Sequence, residues 1–145
     1  MKIYTFTRER KNQITSIGMV LTGDHDKIYT QTTFDVETNK FEASLIGIKR
    51  ALIFVDNNKP LYCNDNVTIY SNITQYHDNL NLEGRIFRDE YIEKFKKKRN
   101  QSIELNYRPI KGIDKEYMKI AETMVDVNER QQYALRLYKQ IKEKA

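Results

Sequence analysis

The sequence predicts an α/β domain built on a five-stranded mixed sheet, and three features carry that expectation. Segments 2–8, 14–22 and 27–35 are rich in Ile, Val, Tyr, Phe and Thr, and only the short polar links "ERKNQ" and "GDHD" separate them. That is the pattern of an antiparallel meander. A helical apolar stripe then leads to a fresh strand lying too far from the meander for a hairpin, so the crossover adds that strand in parallel. Further helices, one more strand and a helical C-terminal third complete the order. At 145 residues the chain suits a single domain that buries a core without disulfides or metals. The expected division is a core over 1–127 and a helical extension over 128–145.

The first strand is "KIYTFTR", the second "ITSIGMVLT" and the third "KIYTQTTFD". Gly18, inside the second, signals a bulge or a close backbone approach. In "NKFEASLIGIKRALIFVDNN", Phe41, Leu45, Ile48, Leu52 and Val55 share one helical stripe, broadened by Ile46 and Ile53. Two asparagines and Pro60 stop that helix. The fourth strand is "VTIYSN" at 67–72, whose alternation delivers Ser71-Asn72 to the strand end, where α/β proteins gather their chemistry.

Residues 74–82 read as a short helix. "RDEYIEKFKKKRNQ" reads as another, with acids in its first turn and bases in its last, and Tyr91, Ile92 and Phe95 on its buried side. "SIELNYR" at 102–108 alternates as a fifth strand. Asp114 is placed to cap a helix reaching about Val127, with Tyr117, Ile120, Ala121 and Met124 inward. A last amphipathic helix over 129–143 is expected to bury Ala134, Leu137, Tyr138 and Ile141.

Composition narrows the function classes. No apolar run approaches the roughly 18 residues a membrane span requires, and "MKIYTFTRER" reads as a strand rather than a signal sequence. A lone Cys63, with His25 and His77 the only histidines, leaves too few partners for a zinc site or a thiol nucleophile and points to a reducing, cytoplasmic setting. Net charge is +5, and its placement says more than its size. Between Arg85 and Lys111 nine bases face four acids, which is the whole excess; the rest holds sixteen of each. A localised positive face is the electrostatic footprint of a phosphate-rich partner.

Five segments in order carry a family likeness. "KIYTFT" stands where a first strand ending Tyr-Thr-Asp-Gly is usual. "TNKFEASLIGIKRAL" matches a helix in which Asn and Thr precede a Glu. "VTIYSN" matches a strand ending Ser-Asp or Thr-Asp, "LNYRPIKGI" one followed by Lys-Gly-His, and "YMKIAETMV" a helix containing Ala-Asp. Together they resemble the ribonuclease H fold of cellular and retroelement ribonucleases H, over residues 1 to about 127.

The resemblance implies hydrolysis of the RNA strand of an RNA–DNA hybrid, with two Mg²⁺ ions held by converging carboxylates. Position by position, it also implies their loss. Phe6 stands for the first-strand Asp, Asn72 for the central-strand Asp and Ile113 for the loop His. Glu42 is retained on the first helix, and Glu122 replaces the last-helix Asp with one methylene more. Phe offers no lone pair and a neutral amide contributes no formal charge, so at most two carboxylates face the ions. Glu9, Asp35 and Asp65 do not fall where they would converge on Glu42.

The resemblance further places Lys94, Lys96, Lys97, Lys98 and Arg99 in a basic protrusion that grips the DNA backbone, and Thr38 and Asn39 beside the nucleic acid. Plainer readings stand alongside. Glu42 suits an ordinary first-turn acid, Glu122 a solvated helix flank, Asn72 a turn-closing amide, and the lysine run a soluble helix face. The expectation is a catalytically silent ribonuclease H-like module, without a metal cofactor, that binds nucleic acid (a hybrid or a duplex) or a protein partner. The alternatives are a divergent Mg²⁺- or Mn²⁺-dependent nuclease holding metal through Glu42 and Glu122, and a scaffold docking a protein or a second copy. No membrane role is expected.

Overall fold

A computed structural model of the chain describes residues 1–10, 14–23, 27–57, 66–73, 90, 93, 97, 103–106 and 110–144. Its elements run β1 (Lys2–Glu9), β2 (Ile14–Thr22), β3 (Ile28–Glu37), α1 (Lys40–Asn57), β4 (Val67–Ser71), β5 (Ile103–Asn106) and α2 (Ile113–Lys144). The strands form one sheet in the order β3-β2-β1-β4-β5. β1–β2 and β2–β3 are antiparallel, while β1–β4 and β4–β5 are parallel, as the meander and the helical crossover require.

Strand periodicity sends alternate β1 side chains to opposite faces. On one face Ile3 joins Ile17, Leu21 and Ile69 beneath α1, whose Ile48, Leu52 and Val55 are fully buried. On the other, Tyr4 packs with Val20, Tyr117, Met118 and Ala121 of α2, and Phe6 leans on that cluster. Each fully buried aliphatic side chain contributes about 1.5–3 kcal/mol, so these two layers fix the sheet between its helices.

α2 approaches the sheet at Gly18, which pairs with Phe6 of β1 and Thr33 of β3. A Cβ there would lie inside contact distance of the Ala121 carbonyl oxygen and 3.1 Å from Val125 Cγ2. Of the two meanings offered for Gly18, close backbone approach is the one realised; the register irregularity of β2 falls at Leu21/Thr22 instead.

Several expectations need correction. Ile53 is exposed rather than part of the α1 stripe. The two C-terminal helices are one, continuous from Ile113 to Lys144, because nothing between them breaks the backbone. Its start is set by Gly112, at φ 61°, whose carbonyl accepts the Lys115 and Glu116 N–H groups at 3.1 and 3.4 Å. Asp114 is therefore inside the first turn rather than a cap. Met118 and Val125 join Tyr117 and Ala121 in the core, whereas Ala134, Leu137, Tyr138 and Ile141 are all exposed, not buried. The helices expected over 74–82 and 88–101 lie outside the described residues, save positions 90, 93 and 97, which are helical. No described helix is long and apolar enough to cross a membrane.

Candidate functional site

β1 and β4 run in parallel, with Thr5 opposite Ser71, so both release their next residues at the same sheet edge. Asn72 leaves β4 there and continues the ladder with its side chain. Its Oδ1 accepts the Thr7 N–H at 2.8 Å and its Nδ2 donates to the Thr7 carbonyl at 2.9 Å. Both ends of the amide engage the backbone of one residue of β1, Thr7, an arrangement that needs one acceptor and one donor together.

Phe6, half-buried, points from the neighbouring position of β1 toward α2. Two residues on, and on the same strand face, Arg8 lays its guanidinium 5.2 Å from the Phe6 ring centroid. That guanidinium donates to Asp126 and to Glu122, at 3.4 Å for the latter, and lies 3.6 Å from Glu129. Glu122, Asp126 and Glu129 stand four and then three residues apart, one face of α2. The Asp126 hydrogen bond outweighs the cost of burial and holds the Arg8 pKa above its ordinary value.

Two cavities meet at Asn72. One, of about 300 Å³, is lined by Ser71, Asn72, Lys115, Met118, Lys119 and Glu122, with Ile110. The other, of about 640 Å³, is lined by Phe6, Thr7, Arg8, Glu9, Arg10 and Lys40, with Asn72 and Ile73. Phe6 and Glu122 thus line two cavities that share Asn72. Glu42 lines neither cavity; it is half-buried in the first turn of α1. Ile113 is exposed at the start of α2. Among the described residues, no three His, Cys, Asp or Glu side chains come together closely enough to hold a metal ion.

Asn39 is the N-cap of α1: its Oδ1 accepts the N–H groups of Phe41 and Glu42, both at 3.0 Å. The Thr38 carbonyl accepts from the Thr15 hydroxyl at 2.6 Å. Lys97 is exposed in helical backbone, and Lys94, Lys96, Lys98 and Arg99 lie outside the described residues.

Sequence reasoning singled out Glu122 but missed Arg8, Asp126 and Glu129 beside it. The signal was present in the i, i+4, i+7 acids of α2 and in a base sharing a strand face with Phe6. It also missed the Asp114 carboxylate, which accepts from the Tyr4 hydroxyl at 2.7 Å and the Lys2 ammonium at 3.1 Å. Burial opposes its ionisation, but the bonds from Tyr4 and Lys2 outweigh that and hold its pKa below the usual carboxylate value. Tyr70, stacked on Tyr4, has its pKa pushed up by burial first and by the nearby charge of Asp114 second.

No protein-family model matches the sequence, and no curated protein does. Solved structures do. The metagenomic LC11-RNase H1 isolated from compost superposes with a TM-score of 0.68 at 20% identity, over 92% of this chain and 96% of that one. The same enzyme in complex with an RNA/DNA hybrid gives a TM-score of 0.66 at 19% identity, over 86% and 93%. RNase H1 of the halophilic archaeon Halobacterium salinarum NRC-1 gives 0.60 at 12% identity, over 86% and 93%. With the strand order and the two parallel additions already established, these likenesses show that the chain has the ribonuclease H-like fold.

Proposed function

We propose that this chain is a catalytically silent ribonuclease H-like domain that binds nucleic acid through the basic stretch between Arg85 and Lys111. The observation carrying the first half is the Arg8 guanidinium, held between Glu122, Asp126 and Glu129 at the edge where the fold's relatives would assemble metal ligands. An organic cation fixed beside Glu122 repels a divalent ion and offsets part of the carboxylate charge that would attract one.

The rest of the donor set agrees. Phe6 has no lone pair. The Asn72 oxygen is occupied by the Thr7 N–H. Glu42 lines neither cavity at the edge. Mg²⁺ sheds water reluctantly and relies on carboxylate charge, so the residues present do not fit a two-metal centre.

Nucleic-acid binding rests on weaker but independent ground. The excess charge is confined to one stretch, where Lys97 is exposed. One structure sharing this fold holds an RNA/DNA hybrid. Lysines and arginines in such a stretch neutralise phosphates without reading bases, so a hybrid or duplex of any sequence is the expected ligand.

The test is a hybrid-cleavage assay in Mg²⁺ and in Mn²⁺, paired with fluorescence anisotropy on the same labelled hybrid. Binding without cleavage is expected. Turnover that Glu42→Gln abolishes would overturn the silent reading in favour of a divergent nuclease. Reversing Lys96, Lys97 and Lys98 to Glu is expected to weaken binding, and unchanged affinity would remove that surface from the account.

A further inference from the structure

α2 carries an apolar seam longer than the domain it packs on. From Ile120 the seam steps by four and three residues through Met124, Val127, Gln131, Ala134 and Tyr138 to Ile141, which is the heptad spacing of helices that pair lengthwise. Its proximal half flanks a groove. Ile120, Met124 and Val127, with Gln131, face Thr32 and Thr33 of β3 across a cavity of about 570 Å³. Its distal half holds no buried residue. Every residue from Arg130 to Lys144 is exposed, and Tyr138 and Ile141 keep 58% and 68% of their surface.

We propose that a second copy of this chain covers the seam, in an antiparallel, two-fold pairing of α2 with the partner's α2. The reason is that one helix holds both halves of the contact on one face: a groove lacking an occupant, and a stripe lacking a groove. Reversing one copy lays the distal stripe of each along the proximal groove of the other, and both needs are met at once. A foreign helix in the groove would leave Tyr138 and Ile141 in water.

The spacing fixes the register. Heptad layers of an antiparallel pair put Met124 level with the partner's Ile141, Val127 with the partner's Tyr138, and Gln131 with the partner's Ala134. Each layer occurs twice by symmetry, which makes the contact isologous and closed. Gln131 is the lone polar residue of the seam between Ile120 and Ile141, and such a residue penalises slipped registers. Lys142, whose ammonium lies 5.6 Å from the Tyr138 ring centroid, flanks the seam with its aliphatic stem.

Size agrees with the assignment. The distal stretch alone is about 22 Å of helix at 1.5 Å per residue. Stable dimers bury on the order of 800 Å² per partner, and each copy here offers both a stripe and a groove toward that area.

Sedimentation velocity on the full chain at about 100 µM, where a standard-size interface of micromolar or tighter affinity is filled, is the first measurement. A species of twice the chain mass is expected. Tyr138→Glu/Ile141→Glu and Val127→Glu are each expected to halve it, with the circular dichroism spectrum unchanged, since all three side chains are exposed. Oxidative cross-linking then reads the direction. With Cys63 replaced by Ser, the Val127→Cys/Tyr138→Cys chain is expected to form covalent dimers and the Tyr138→Cys chain none. A monomeric wild type, a charge variant that stays dimeric, or dimers cross-linked through Tyr138→Cys alone would each overturn the proposal.

Discussion

Asn72 closes β4 onto β1 in a way that an acid at the same position could not. Its donor and acceptor both engage Thr7, so Asn72→Asp turns the Nδ2 donor into a second acceptor facing the Thr7 carbonyl. The expected cost is about 1–3 kcal/mol, the range for leaving a part-buried polar group opposed rather than bonded. Urea unfolding measures it, and placing an acid at this position is expected to yield no hybrid cleavage. Asp114 supplies a pH-dependent counterpart. Its folded pKa lies below the unfolded value of about 4, so the stability it contributes is full above that value and is lost as pH falls through the folded one. Asp114→Asn should lower the urea midpoint at pH 7 and flatten its decline in acid; an unchanged acid limb would detach Asp114 from that stability. At this scale the sequence was informative about types and silent about partners. The choice of Phe6, Asn72 and Glu122 followed from strand parity and family likeness. That Arg8 stands among the α2 acids required the crossing of β1 and α2, which no local pattern encodes.

The same contrast holds for whole elements. Strand 14–22 was legible because β-branched and other apolar residues filled it and polar links bounded it. The break expected near Asn128 is not realised. The stretch "VDVNER" contains neither Gly nor Pro, and without a breaker a helix already nucleated on buried Tyr117, Ala121 and Val125 simply continues. Burial of the distal stripe was likewise misassigned because amphipathicity reports that a face wants cover and not which surface supplies it. Gly18 shows the reverse case, where one residue type controls the seating of an element. Gly18→Ala would push a methyl into the Ala121 carbonyl and toward Val125, forcing α2 off the sheet. Overpacking of that kind costs about 1–3 kcal/mol, and the loss should appear as a lower thermal midpoint with near-ultraviolet dichroism of the Tyr4–Tyr117 stack altered.

Across the whole molecule, charge is divided between two places that do different work. At the edge beside Asn72 the Arg8 guanidinium offsets one of the three carboxylate charges of Glu122, Asp126 and Glu129, so that cluster is acidic. The stretch from Arg85 to Lys111 holds the entire +5 excess. A protein whose surplus is concentrated in this way binds a polyanion by releasing condensed counterions, and each phosphate neutralised steepens the salt dependence. If Lys94, Lys96, Lys97, Lys98 and Arg99 each meet one phosphate of a duplex-like hybrid, log affinity should fall with log salt at a slope near −4.5, from about −0.9 per contact. The Lys96, Lys97 and Lys98 charge reversal should then flatten the slope by at least ~2.7 on the same rule. Docking through apolar surface, such as the α2 seam, leaves no comparable salt signature. Anisotropy titrations from low to high salt therefore separate the two surfaces within one protein: hybrid affinity should collapse while the sedimenting mass holds. A hybrid affinity indifferent to salt would place the nucleic acid somewhere other than the basic stretch.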